Sequence, residues 1–146
     1  MKTVNIKKLN KNAVIPTYGS EFSAGADLYC CSDSPVVIEE YKSVLIHTGI
    51  SMEIPTGYVG LIYARSGLAT KNGLAPANKV GVIDSDYRGE IMVCLYNHSN
   101  KSQIISNGER IAQIVITPYE KVMFKEVEEL TDTRRGEGGF GSTGMK

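Results

Sequence analysis

No apolar run in these 146 residues approaches the roughly 20 that a membrane span needs. The opening MKTVNIKKLNK has none of the build of a signal peptide, so a cytoplasmic protein is expected. Net charge is also missing: 16 Lys and Arg balance 16 Asp and Glu. A neutral chain exerts no overall pull on polyanions, so neither nucleic acid nor membrane is expected as a partner. Any phosphate group must be held by local basic side chains and backbone amides. Cysteine is sparse. Cys30, Cys31 and Cys94 show no CxxC spacing, and two adjacent cysteines are poor bridge partners, so reduced thiols packed as small apolar groups are expected. His47 and His98 have no companions at metal-ligand spacing. No G-x-x-x-x-G-K-[ST] occurs, which excludes a P-loop. A literal G-x-G-x-x-G does run from Gly136 to Gly141, but only five residues follow it. That leaves no room for the helix a dinucleotide fingerprint requires.

What is present points to one ordinary soluble domain, with 42% hydrophobic and 22% charged residues. Short apolar stretches recur between turn signals: TVNIKKL, ADLYCC, PVVIEE, KSVLIHTGISMEI, GYVGLIYA, VGVID, IMVCLYN, SQIIS, RIAQIVITP and KVMFKEV. Many are rich in Val, Ile and Tyr and bounded by Gly, Pro, Asn or Asp, as strands are. Helical periodicity is never sustained. The best helical segment is SGLATKNG, where Ser66 is expected to cap and Gly73 to stop a brief turn. The expectation is an all-β sandwich, jelly roll or barrel. Composition changes near residue 131, giving a folded domain over 1–130 and a mobile glycine-rich arm over 131–146.

Five clusters carry candidate chemistry. In the arm, glycines let amides approach an anion, Ser142 and Thr143 add hydroxyls, Arg134 and Arg135 add charge, and Phe140 offers a flat apolar face beside Gly141. Phosphate grip plus ring stacking suggests a nucleotide, against the plainer reading of a frayed tail. At Arg65-Ser66-Gly67 a strand feeds a short helix whose N-terminal amides suit phosphate, against an ordinary capped helix start. Between Val80 and Val93, two apolar strands around a polar turn predict a hairpin. There Asp84, following an apolar run, is expected to be partly buried and able to act as base toward water, with Tyr87 near the tip. The alternative is that Asp84 and Asp86 are simple turn formers. In Asn107–Val115, Asn-Gly turns into a strand on which Arg110 and Ala112 face one way and Ile111 and Gln113 the other. Backbone is the default partner of Gln113. The fifth cluster, Ser23–Leu28, puts Asp27 at a strand start after small residues.

Taken in order, AGADL, RSGLA, GVIDSDYRGE, GERIAQ and RGEGGFGSTG resemble the five motifs of trimeric deoxyuridine triphosphatases, over residues 24–144. The resemblance implies a distorted jelly roll assembled as a homotrimer with active sites at subunit interfaces. It implies hydrolysis of dUTP to dUMP and pyrophosphate, by water attacking the α-phosphorus with Mg²⁺ present. This reaction limits uracil entry into DNA and supplies dUMP for thymidylate synthesis. By that similarity Asp84 is the catalytic base, and Arg65, Ser66, Gly67 and Gln113 hold phosphates. Tyr87 packs under the deoxyribose, Asn78 with the backbone of Val82 and Ile83 reads the uracil edge, and Met92 lines the same pocket. Asp27 reaches the metal through water, the ion being held mainly by phosphates and waters, and Arg110 supports the polar network. The arm becomes a lid from another subunit, with Phe140 over uracil, Arg135, Ser142 and Thr143 on the phosphates, and Gly141 also substrate-binding. Ala64, where many relatives have proline, and Lys79 after Asn78 are the departures. Rival readings are dCTP deaminase, which shares the fold and triphosphate grip, and a nucleotide-binding regulator with little turnover. The intact hairpin and arm motifs favour the triphosphatase, and retained Asp84 opposes the regulator.

Overall fold

The computed structural model describes residues 2–139, and strands dominate it. In chain order these are β1 (Asn5–Lys8), β2 (Thr17–Tyr18), β3 (Ala26–Tyr29), β4 (Val36–Ile38), β5 (Ser43–Glu53) and β6 (Tyr58–Tyr63). After the helix α1 (Ser66–Asn72) come β7 (Leu74–Pro76), β8 (Gly81–Ile83), β9 (Glu90–Asn97), β10 (Gln103–Ile105) and β11 (Arg110–Pro118). They form a four-stranded sheet ordered β1-β5-β9-β7, a five-stranded sheet ordered β2-β3-β11-β6-β8, and a β10-β4 pair. The pairings are antiparallel, as the expected jelly roll requires.

Alternation explains the core. Along β9, Ile91, Val93, Leu95 and Asn97 point inward, while Glu90, Met92, Cys94 and Tyr96 lie on the other, half-exposed face. Leu28, Ile38, Ile46, Ile50, Leu74 and Ile111 join them in the interior. Each such side chain contributes about 1.5–3 kcal/mol relative to exposure. The buried Asn97 is fully satisfied. Its Nδ2 donates to the carbonyls of Ile38, Glu39 and Lys101, and its Oδ1 accepts from the Ser99 amide and hydroxyl. Cys30 and Cys31 are buried, and desolvation pushes both thiols above their ordinary value, in keeping with inert packing. Among the described residues, no helix is long and apolar enough to cross a membrane.

Several local expectations are corrected. The strands either side of Asp84–Gly89 are not a hairpin: β8 pairs with β6 in one sheet and β9 with β5 and β7 in the other. The polar loop between them crosses from sheet to sheet. Residues of KVMFKEV form no strand, and Met123 and Phe124 are 91% and 94% exposed. A strand needs a ladder partner, and this segment has none among the described residues. Among the described residues, regular structure therefore ends at Pro118, ahead of the composition change. Gly73 stops α1 as expected, in the left-handed region at φ 68°, but Arg65 is the N-cap and no side chain caps it, so Ser66 does not. The short β2 and β7 lie outside the apolar stretches of the sequence, because Thr17–Tyr18 and Leu74–Pro76 have neither a β-branched apolar run nor alternation.

A bulge interrupts the longest pairing. Between His47 and Ser51 the register of β5 on β9 shifts, so Thr48, Gly49 and Ile50 face the single residue Ile91. Gly49 takes φ +68°, and its carbonyl accepts the Leu9 amide at 2.7 Å. A Cβ there would lie 2.8 Å from Cys31 Sγ and 2.9 Å from Ala13 Cβ. Left-handed backbone and overpacking together predict that Gly49→Ala destabilises the fold by roughly 2–4 kcal/mol. Urea unfolding followed by circular dichroism measures this, with a lower midpoint at unchanged slope expected.

Candidate active site

Three separated sequence clusters converge on one basic cleft. Asp27 sits in β3, Arg65 between β6 and α1, and Gln113 in β11, beside β3 and β6 in one sheet. Their shared cleft of about 450 Å³ is lined by Gly25, Asp27, Arg65, Ser66, Gly67, Arg110 and Gln113, among others. Arg65 Nε donates to Asp27 Oδ1 at 2.7 Å, and Arg110 Nη1 to Asp27 Oδ2 at 3.3 Å. The Asp27 side chain is only 12% exposed, so the guanidiniums supply the compensation that a shielded carboxylate requires. Two cations against one anion leave the cleft with a surplus positive charge. It can receive a phosphate chain, with amides at the start of α1 adding donors.

Gln113 confirms its default partner: its Nε2 donates to the Ala64 carbonyl at 2.9 Å. That bond turns the amide toward Gly25, where an added Cβ would lie 2.3 Å from Oε1. The expected facing of β11 is corrected here. A bulge between Arg110 and Ala112 breaks the alternation. Ile111 and Ala112 are both buried, while Arg110 and Gln113 both line the cleft. Strict alternation would have separated the last two, because they are three residues apart.

A second cleft, of about 240 Å³, lies against the sheet-crossing loop. It gathers Val82, Ile83, Asp84, Tyr87 and Met92, as the sequence motifs suggested, and adds Leu45 and Glu90, which they did not. Asp84 is exposed rather than partly buried, because β8 ends at Ile83 on the edge of its sheet. The loop is internally braced. The Tyr87 amide donates to the Asp84 carbonyl at 3.2 Å, Tyr87 Oη to the Glu90 carbonyl at 3.1 Å, and Arg88 Nη1 to the Ser85 carbonyl at 2.7 Å. An exposed carboxylate beside an apolar wall and a tyrosine edge suits a base facing a bound nucleoside. Asn78 lies apart, in the turn before β8, where its carbonyl accepts the Val80 amide at 2.7 Å and Lys79 takes φ 66°.

The two clefts share no lining residue. Arg135 lines neither; its Nε donates to the Gly138 carbonyl within the arm. Phe140, Gly141, Ser142 and Thr143 lie outside the described residues. Tyr63 and Val115, which line the basic cleft, and Leu45 were missed in the sequence. Strand pairing brings them in, Gln113 opposite Tyr63 and Leu45 opposite Cys94, and no local motif reports a cross-strand neighbour.

A family model for dUTPase matches residues 11–144. The chain is 52% identical over 141 residues to the deoxyuridine 5'-triphosphate nucleotidohydrolase of Hydrogenobaculum sp., covering 97% of each chain. Its fold is similar to that of the Staphylococcus bacteriophage 80alpha dUTPase with dUpNHpp, at TM-score 0.90 and 32% identity, over 99% of this chain and 100% of that one. A dUTPase variant from phage phi11 of S. aureus, described with coordination of a structural Mg(II) ion, matches at TM-score 0.78 and 27% identity, over 88% of this chain and 98% of that one.

If the basic cleft is a phosphate site, crowding Gln113 should damage it selectively. Gly25→Ala is expected to weaken inorganic triphosphate binding by about tenfold, the loss of one or two well-placed donors. Isothermal titration measures the affinity, and thermal unfolding checks that the fold survives.

Proposed function

The chain belongs to the dUTPase family and is a dUTP diphosphatase, and we propose that it cleaves dUTP to dUMP and pyrophosphate by water attack on the α-phosphorus. Asp84 takes the proton from that water. Tyr87 packs against the deoxyribose and leaves no room for a 2′-hydroxyl, Met92 lines the uracil pocket, and Asn78 with the backbone of Val82 and Ile83 reads the uracil edge. Arg65, Ser66, Gly67 and Gln113 hold the phosphates, so the departing pyrophosphate leaves from a site already matched to its charge. Residues 1–130 act as the catalytic domain and 131–146 as the arm that closes it, through Arg135, Phe140, Gly141, Ser142 and Thr143. The reaction removes dUTP before it can enter DNA and supplies dUMP for thymidylate synthesis, in the cytoplasm.

The observation that carries this reading is the pair of clefts, one cationic and one holding a carboxylate against an apolar wall, built from the family's motifs. Their separation supports a site completed by another copy, in a homotrimer where the basic cleft of one subunit meets the loop cleft of the next. Exposed Met123, Phe124 and Leu130 support the same assembly, since a lone chain leaves them in water.

Among the described residues, no group of three or more His, Cys, Asp or Glu side chains could hold a metal ion. Asp27 is already engaged by two arginines. This donor set fits Mg²⁺ carried mainly by substrate phosphates and waters, with Asp27 reached through water. When bound, the ion neutralises charge on the triphosphate.

Asp84→Asn keeps shape and hydrogen bonding but removes the base. Its turnover of dUTP is expected to fall by about 10²–10⁴ while binding persists. Unchanged turnover would move the role to Asp86. A separate mixing experiment addresses the shared site. Protein truncated after Thr133 and the Asp84→Asn protein should each be nearly inactive, yet regain activity when refolded together. No recovery in verified mixed trimers would make each site self-contained.

A further inference from the structure

The geometry points to Glu90 as the residue that positions the Asp84–Tyr87 loop, by locking the loop's foot into the β5 bulge. This inference rests on the dUTP reading of the loop cleft and assigns a role to a side chain that the reading leaves idle. The loop has an unusual mechanical problem. Its ends belong to different sheets, β8 in one and β9 in the other, so no hairpin ladder holds them together. The position of Asp84 and Tyr87 therefore depends on how firmly the first residue of β9 is fixed, and that residue is Glu90.

Three bonds converge on it. Glu90 Oε1 accepts the Gly49 amide at 2.8 Å. Glu90 Oε2 lies 2.8 Å from His47 Nδ1. The backbone carbonyl of Glu90 accepts Tyr87 Oη at 3.1 Å. The first bond repairs the bulge. Three residues of β5 face one of β9 there, so the Gly49 amide has no ladder carbonyl opposite, and the carboxylate takes that place. The third bond passes the anchoring to the loop tip. Tyr87 folds back so closely that a Cβ at Gly89 would lie 2.3 Å from its hydroxyl. Glu90 thus links the one strained point of β5 to the ring that excludes a 2′-hydroxyl. Its side chain is 21% exposed and lines the loop cleft, where a carboxylate with no structural duty would repel a phosphate-bearing ligand. The Arg88–Glu53 contact at 3.5 Å also ties the loop to β5, but both side chains are 54% exposed, so it is the weaker tether.

A positioning residue acts on discrimination as well as rate. The test measures kcat and KM for dUTP and UTP in wild type, Glu90→Ala, Glu90→Asp and Glu90→Gln, with thermal unfolding of each. Loss of the anchor should lower kcat on dUTP about tenfold and the dUTP-over-UTP ratio of kcat/KM at least about fivefold, a displacement effect. Aspartate is too short to reach both partners and should behave like alanine without creating a cavity. Glutamine can accept from Gly49 and donate to His47, so it should restore both quantities to within about threefold of wild type. Should the alanine variant not fold, aspartate against glutamine decides the matter. A lowered unfolding temperature with the ratio unmoved, within about twofold, in the folded variants would overturn the inference and leave Glu90 a stabiliser only. Wild-type protein inert toward dUTP would instead end the functional reading, and the same assay detects that before any variant is compared.

Discussion

Asp27 is the constraint around which the basic half of the site is organised. Its carboxylate, largely withdrawn from water, holds Arg65 on one oxygen and Arg110 on the other. Those arginines come from the β6–α1 junction and from β11, so one acidic side chain ties three segments across 83 residues of sequence. An unpaired charge at that depth would be destabilising, so the two arginines are what allow the carboxylate to sit there. The same pairing sets the character of the cleft. Arginines neutralised one-for-one would offer an anion little, whereas two on one carboxylate keep their direction and a surplus charge.

Both clefts owe their composition to irregularities in otherwise regular sheets. The bulge in β11 brings Arg110 and Gln113 to one side while keeping Ile111 and Ala112 in the core. The bulge in β5 gives Glu90 an amide to hold and so fixes the place where β9 begins. One extra residue in β11 re-aims Arg110 and Gln113, and two in β5 turn the Gly49 amide to Glu90, with no apolar side chain leaving the core. Gly25 and Gly49 are where this close packing has no room for a Cβ.

A lone chain carries the parts of the proposed nucleotide site without bringing them together. The cationic cleft and the Asp84 cleft are separate, and the described residues after Pro118 expose large apolar side chains without a strand partner. Burying one such side chain is worth about 1.5–3 kcal/mol. Assembly of the kind proposed would use that apolar surface to bring complementary clefts from different copies face to face, so that folding energy and site formation have a common source.

The residues alone revealed the fold class, because period-two alternation between turn residues is a local signal, as in IMVCLYN and RIAQIVITP. They revealed the family too, because RSGLA and GVIDSDYRGE are contiguous motifs, each complete within a few positions. Gly73 as a helix stop was equally local. What needed the tertiary structure was everything set by pairing between distant segments. The apparent hairpin at Asp84 divides between two sheets, because β6 and β5 compete successfully for its arms. The facing of Arg110 turns on a bulge that no period announces, and Leu45, Tyr63 and Glu90 enter the clefts through strand neighbours 39 to 50 positions away in the chain. KVMFKEV has the composition of a strand but pairs with no edge among the described residues. Propensity is a property of a segment, whereas a hydrogen-bonding partner is a property of the fold.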